Sequence, residues 1–300
     1  MAPVQVEADG NGQPHSSSGL VDTHAHLQWP TLAAEADAVV ARARDAGVTR
    51  ILTLGTDPTS SDAAVGFAAR YAADGVYAAV GLHPGDIPAD AGEARQALVR
   101  IAALLERSRV VAVGETGLDY YHADGPPRAA QLASFERHLE LAAATGKPIC
   151  VHNRESTNDV MRALERHAGR VTPVLHCYTG DLATALRAVD LGCYISFAGN
   201  STYPKLRALL DVAAEVPAER LLLETDAPFL APRPLRGRRN EPAYVVHTYD
   251  AVAAARGVTR EALGRLVADN AARLFGWPRE HREHRGQAER RPGDKDESAA

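Results

Sequence analysis

Eight short apolar runs, each followed by an Ala-, Leu- and Arg-rich helical stretch, constrain this 300-residue chain more than any other feature. The strand candidates are residues 20–25, 50–55, 76–81, 109–114, 148–152, 172–176, 192–196 and 220–225. Helix candidates follow at 31–46, 59–73, 91–107, 127–145, 155–168, 180–190, 203–214 and 241–256, with a last one at 259–274. Strands that alternate with helices pair in parallel through helical crossovers. Eight such units near this length fit a closed (β/α)8 barrel better than an open sheet. No Gly-x-Gly-x-x-Gly follows the first run, which argues against a dinucleotide-binding sheet. Gly47, Gly75, Gly146 and Gly192 stand where helices should end in left-handed caps. Thr259 reads as the N-cap of the last helix, but Ala262 holds the place where Glu or Gln would complete a capping box.

The barrel is expected over residues 19–277, with polar tails at 1–18 and 278–300 that lack apolar periodicity and read as disordered. Composition matters here mainly for what it excludes. A formal net charge of −5 is wrong for a general coat on nucleic acid, so any polyanion binding must be local. Cys150, Cys177 and Cys193 are too few and too scattered for a disulfide framework, and read as reduced thiols. No apolar run reaches membrane-spanning length, and the N-terminus lacks the basic and apolar regions of a secretion signal. These features lead to the expectation of a cytoplasmic protein with no membrane association and no obligate protein partner.

A barrel carries its active site at the C-terminal ends of its strands, and His, Glu and Asp collect there. The first strand runs into Asp22-Thr23-His24-Ala25-His26. Alternation along a strand projects His24 and His26 together, and paired imidazoles commonly grip a divalent metal. His83 follows the third run, Glu115 the fourth, His152 the fifth, His176 the sixth and Asp226 the eighth, so six of eight strand ends carry such a residue. Chance is a poor account of six. Histidines and carboxylates without cysteine suit Zn²⁺, Mn²⁺, Mg²⁺ or Fe. The set exceeds what one tetrahedral ion needs. Two ions about 3.5–4 Å apart, sharing a bridging carboxylate, would use it fully. Glu115 is the expected bridge, since a carboxylate has two oxygens and the fourth strand lies across the barrel from the others. Asp226 can ligate one ion and accept a proton from a bound water that the metal acidifies. The other ion would hold the substrate oxygen and leaving group. Asp22 shares a face with His24 and is a candidate to hydrogen-bond that ligand. Cys177, next to His176, is expected to point away from the site into the core.

These stretches resemble the TatD-type metal-dependent deoxyribonucleases of the amidohydrolase-like barrel superfamily. The matching motifs are Asp22-Thr23-His24-Ala25-His26, Gly81-Leu82-His83-Pro84, Gly114-Glu115-Thr116-Gly117-Leu118-Asp119-Tyr120, His152-Asn153-Arg154-Glu155, His176-Cys177-Tyr178-Thr179-Gly180, Glu224-Thr225-Asp226-Ala227-Pro228-Phe229-Leu230 and Arg236-Gly237-Arg238-Arg239-Asn240-Glu241-Pro242. The resemblance implies a (β/α)8 barrel, divalent-metal dependence and cleavage of DNA phosphodiesters with 3′→5′ polarity. It implies His24, His26, Glu115 and Asp226 as one metal site, Glu115, His152 and His176 as the other, and His83 as a further active-site histidine near the scissile phosphate or a metal-bound water. Departures are small. Ala227 stands where the family often has Ser, Leu235 where its loop often has His, and Asn153 where Ser is commoner. Two divalent ions follow, Mg²⁺ or Mn²⁺ in function and Zn²⁺ also compatible.

Arg233, Arg236, Arg238 and Arg239 follow the eighth strand in one loop, a local phosphate-binding edge on an acidic protein. Arg154 is a further phosphate candidate. Trp29, Tyr120, Tyr121, Tyr178 and Phe229 follow strand ends and are candidates to stack on bases. A deep barrel mouth admits a flexible single-stranded or frayed end more easily than stiff duplex. The competing readings are a small-molecule amide, lactone or phosphoester hydrolase of the same superfamily, an esterase editing RNA ends, and a metal-binding scaffold without catalysis. Many of the small-molecule enzymes bridge their metals with a carboxylated Lys, where this chain has Glu115.

Overall fold

The computed structural model describes residues 19–277. The tails expected to be disordered lie outside the described residues. Eight parallel strands form one sheet in sequential order: β1 (Leu20–Ala25), β2 (Val48–Leu54), β3 (Val76–Val80), β4 (Val110–Asp119), β5 (Ile149–Arg154), β6 (Pro173–Leu175), β7 (Tyr194–Phe197) and β8 (Leu221–Leu223). The sheet curls into a nearly closed (β/α)8 barrel, as the alternation predicts. β1, β3, β6, β7 and β8 are buried along their whole lengths. That is why these runs read as continuous apolar stretches rather than alternating ones.

Among the described residues ten helices cover the outside: α1 (Pro30–Ala33), α2 (Ala36–Asp45), α3 (Pro58–Arg70), α4 (Ala91–Leu104), α5 (Arg128–Thr145), α6 (Thr157–Arg166), α7 (Leu182–Asp190), α8 (Ala208–Glu215), α9 (Val245–Arg256) and α10 (Arg260–Phe275). In α6 the inward stripe is Val160, Met161, Ala163 and Leu164. Each large aliphatic buried there contributes about 1.5–3 kcal/mol. The helix expected over 31–46 is broken at Ala34–Glu35, and the one expected over 203–214 begins only at Ala208, after two short 3-10 turns. Gly47, Gly146 and Gly192 end helices with φ of +86°, +68° and +89°. Gly75 does not: α3 has ended at Arg70, and Gly75 instead turns the chain into β3. Thr259 caps α10 by accepting the Ala262 N–H at 3.2 Å.

β8 and β1 meet without a regular ladder, through the single bridge Ala25–Ala227. Side chains complete this seam. Asp22 accepts the Thr225 N–H at 2.9 Å and the Thr225 hydroxyl at 2.6 Å. Tyr249 of α9 inserts its hydroxyl at β1, accepting the Val21 N–H at 3.3 Å and donating to the Val21 carbonyl at 3.0 Å. The buried backbone groups of β1 thus find partners that β8 does not supply.

Candidate metal centre

The C-terminal mouth of the barrel opens into a cavity of about 680 Å³. At its floor Glu115, on β4, is met from two sides. Its Oε2 lies 3.4 Å from His24 Nε2 and 3.4 Å from His26 Nε2. Its Oε1 lies 3.0 Å from His152 Nδ1, 3.0 Å from His176 Nε2 and 3.7 Å from His83 Nε2. Asp226 Oδ1 stands on the first side, 3.5 Å from His26 Nε2 and 3.8 Å from His24 Nε2. The structure therefore brings all seven predicted residues of the centre together. Three groups, His24–Glu115–His176, His24–His26–Asp226 and His83–Glu115–His152, have ligand atoms within 4.8 Å of one another.

The outward ring nitrogens show which way the lone pairs point. His26 Nδ1 sits 2.8 Å from the Leu54 carbonyl, His152 Nε2 3.1 Å from Asp119 Oδ2, and His176 Nδ1 3.3 Å from Glu224 Oε1. Each of those partners is an acceptor, so the ring proton belongs there and the inward nitrogen carries a lone pair. Lone pairs of three imidazoles thus converge on the two oxygens of one carboxylate. Only a cation at the centre, a metal ion or a proton, reconciles acceptors at these distances. His24 is wholly buried and neither of its ring nitrogens has a hydrogen-bond partner. An orphaned buried imidazole costs on the order of 1–3 kcal/mol unless something outside the protein binds it. The donor set of nitrogen and carboxylate oxygen, with no thiolate, fits divalent ions such as Mg²⁺, Mn²⁺ or Zn²⁺.

Electrostatics follow the same pattern. With a proton as the cation at the centre, His176, despite its burial, is held protonated by Glu115. Burial works to raise the Glu115 carboxyl, but the charged imidazoles, His176 foremost, hold it well below the usual carboxylate range. Burial is likewise outweighed at Asp226, which His26 and His24 hold down. His83 differs from the others. Its Nδ1 accepts the Gly85 N–H at 3.0 Å, so the neutral ring carries its proton on Nε2, facing Glu115. Burial pushes its pKa down to about 4, so it presents a neutral N–H donor and no lone pair toward the cavity floor.

Close backbone packing sets the β4 geometry. Gly117 has φ +138°, and a Cβ there would lie 2.1 Å from the His152 carbonyl oxygen, so no other residue fits. Asp119 follows on the same face of β4 and receives His152, the exposed His122 at 3.0 Å and the backbone N–H of Tyr121 at 3.0 Å. Asp119 and Glu224 were not assigned roles from sequence. Alternation from Glu115 through Gly117 to Asp119 is the local signal that points to the first. Glu224, fully buried, also accepts the Cys177 N–H at 2.7 Å and the Ser196 hydroxyl at 2.5 Å.

Several expectations are corrected. β6 ends at Leu175, so alternation no longer governs Cys177, which has φ +44° and lines the cavity instead of the core. Burial pushes its thiol well above the ordinary value, which keeps it protonated and a poor nucleophile. Tyr178 is buried against Phe197 with its hydroxyl donated to the Asp181 carbonyl at 2.7 Å, so it cannot stack on a base. The Tyr120 ring is covered by Arg128 at 4.1 Å, and its hydroxyl donates to Asp159. Asp22 touches the His24 backbone N–H at 3.3 Å, not its ring. Of the arginines, Arg154 lines the cavity and lies 3.9 Å over the Tyr121 ring. Arg239 is engaged by Glu35 at 2.7 Å, and Arg236 lies over Tyr203 at 4.7 Å. Arg236, Arg238 and Arg239 stand outside the cavity lining.

The sequence profile of TatD related DNases matches residues 21–276. The chain belongs to the TatD family. Among its TatD-family relatives, the Bacillus subtilis (strain 168) protein YabD, described as an uncharacterized metal-dependent hydrolase, is 38% identical over 85% of this chain and 98% of its own length. A Cronobacter sakazakii protein named 3′-5′ ssDNA/RNA exonuclease TatD is 38% identical over 80% of this chain and 91% of its own. The crystal structure of YjjV, a TatD homologue from Escherichia coli K12, superposes with a TM-score of 0.80 at 32% identity, covering 86% of this chain and 98% of that one. This TatD-family chain is thus a metal-dependent hydrolase by kinship, and its nitrogen–carboxylate cluster lies where barrel enzymes carry their chemistry. No helix among the described residues is long and apolar enough to cross a membrane.

Proposed function

We propose that this chain hydrolyses phosphodiester bonds of single-stranded or frayed DNA, removing nucleotides from the 3′ end, at a centre of two divalent ions. The observation that carries this is the division of Glu115: one oxygen faces His24 and His26 beside Asp226, the other faces His152 and His176. His24, His26, Glu115 and Asp226 would hold one ion, and Glu115, His152 and His176 the second. Two such ions supply an acidified water and polarisation of a phosphoryl oxygen, with Mg²⁺ or Mn²⁺ the expected pair and Zn²⁺ also compatible. The chain's own residues do the rest. Asp226, open to the cavity, accepts the proton of the attacking water and returns it to the 3′ oxygen of the shortened strand as the phosphorus–oxygen bond to that strand breaks, leaving a nucleoside 5′-monophosphate. His83 offers its Nε2–H to a phosphoryl oxygen, a neutral donor suited to the charge that develops there. Arg154 holds a phosphate at the rim, and its stacking on Tyr121 keeps the guanidinium extended. A cavity of about 680 Å³ has room for a nucleotide at a strand end, the substrate this reading assigns to it. The relative named as a 3′-5′ exonuclease supports the polarity and the substrate class. The three unpaired cysteines suit a reducing compartment, which we take to be the cytoplasm.

A 5′-labelled single-stranded oligonucleotide tests the reading directly. Metal-stripped protein should be inert. Addition of Mg²⁺ or Mn²⁺ should give a ladder that shortens from the 3′ end. Intact DNA under every metal, with turnover of a lactone, an amide or an aminoacyl ester, would transfer the activity to the small-molecule or editing hydrolases.

A further inference from the structure

We infer that Trp29 and Phe229 form a nucleobase-binding corner, stacking the base of the nucleotide whose phosphate lies at the imidazole–carboxylate cluster. Trp29 follows β1 and Phe229 follows β8, so the seam between these strands sets the two rings side by side on one rim of the cavity. Their centroids are 5.1 Å apart at 75°, and the His26 ring lies 6.4 Å from Trp29 and 6.1 Å from Phe229. Both rings stay open to solvent, at 39% and 41% exposure. Among the described residues the other exposed large apolar side chains are four scattered aliphatics, Val99, Leu186, Leu206 and Val258, and one aromatic, Tyr121, which lies under Arg154 at the opposite rim. Exposed aromatic rings are therefore concentrated at this mouth, where exposure calls for a ligand. Packing of His26 does not account for the pair, because the Leu54 carbonyl already fixes that ring.

The two rims differ in chemistry. The side near β1 and β8 is flat and aromatic. The side near β4 and β5 carries Arg154 and His122, the latter held by Asp119. The cluster lies between them. A nucleotide matches this layout, with a flat apolar base at one end and a phosphate at the other. Stacking on an aromatic face tolerates any base, so the corner would grip without reading sequence. The inference rests on the phosphodiesterase reading above, and the following test separates the two.

The chain has two tryptophans, and Trp277 is buried against Tyr77 and Phe275 with ring centroids 5.2 Å and 5.0 Å away. A ligand-induced change in intrinsic fluorescence therefore reports on Trp29. The metal-loaded protein is titrated with dAMP and, by competition, with 2-deoxyribose 5-phosphate. The corner predicts saturable quenching by dAMP, affinity for the sugar phosphate weaker by about tenfold, and the same loss for dAMP in Phe229→Ala. With the labelled oligonucleotide, Trp29→Ala should raise KM about tenfold with a much smaller change in kcat. An oligonucleotide ending in an abasic residue should not respond to that substitution. Equal affinity for dAMP and the sugar phosphate, or DNA cleavage indifferent to Trp29→Ala, would overturn the corner while leaving the phosphodiesterase in place. Quenching by dAMP in a protein that cleaves no DNA would support the corner and remove the phosphodiesterase.

Discussion

At the scale of single residues, the centre is a problem of burying acceptors against acceptors. Glu115 and Asp226 are acceptors, and three of the imidazoles around them, His26, His152 and His176, have their inward nitrogens set by groups one layer further out. Those outer groups carry a prediction. Asp119→Asn keeps the size of the side chain but replaces the carboxylate that takes the His152 Nε2–H at 3.1 Å. Divalent-ion affinity, measured by titration calorimetry, and turnover should each fall about 10–100-fold, with the fold intact by circular dichroism. Unchanged ion affinity would mean that His152 is oriented by something else. The residues gathered in the cluster were legible in the sequence, because strand ends and alternation are local signals. Asp119 and Glu224 were harder, since a carboxylate that orients a neighbour's imidazole leaves no periodic trace of its own. Cys177 was misread for a simple reason: alternation predicts nothing once the strand has ended, and β6 stops at Leu175.

Among the elements, α5 supports the site through two buried side chains: Gln131 accepts the Asp119 N–H at 2.8 Å and donates to the Asp119 carbonyl at 3.0 Å, and His138 holds the turn before His83. His138 has its Nδ1 2.8 Å from the Ser134 carbonyl, so that nitrogen is the donor, and its Nε2 accepts the Leu82 N–H at 3.1 Å. Leu82 immediately precedes His83, so a helix on the outside of the barrel holds the turn that presents the neutral donor. Burial pushes the His138 pKa down to about 4. The unfolded chain, with an ordinary value near 6.5, binds this proton first as pH falls. Its contribution is thus fully present above about pH 6.5 and is lost on the way down to pH 4, a total of about 3 kcal/mol. Urea midpoints at pH 7 and pH 4.5 should differ more for the wild type than for His138→Gln. Equal differences would show that His138 is not the group titrating. Most elements could be placed from periodicity, though their ends could not. The break at Ala34–Glu35 and the late start of α8 depend on how the chain crosses the barrel mouth, which no local pattern encodes.

For the molecule as a whole, the weak line is the seam between β8 and β1. The βα rhythm announced the barrel, but the way it closes was not visible, because closure depends on contacts between residues about 200 positions apart. Asp22 bonds Thr225, and Asp226 follows directly, its own N–H donating to the His24 carbonyl at 2.8 Å. The contacts that close the barrel therefore also set His24 and Asp226 beside each other. Asp22→Ala leaves buried donors on Thr225 and His24 unpaired and should cost about 3 kcal/mol in a denaturant titration. It should also weaken divalent-ion binding in the protein that remains folded. A variant as stable as the wild type would mean the seam holds without Asp22. The central claim is that Glu115 joins two ions into one hydrolytic centre. Its most direct test is DNA hydrolysis by metal-stripped protein as Mn²⁺ is returned stepwise, with bound metal counted at each step, beside Glu115→Gln. The account predicts activity that levels off at two ions per chain, and a variant at least about 1,000-fold slower. Full activity at one ion, activity that survives chelation, or a Glu115→Gln enzyme as fast as the wild type would contradict it.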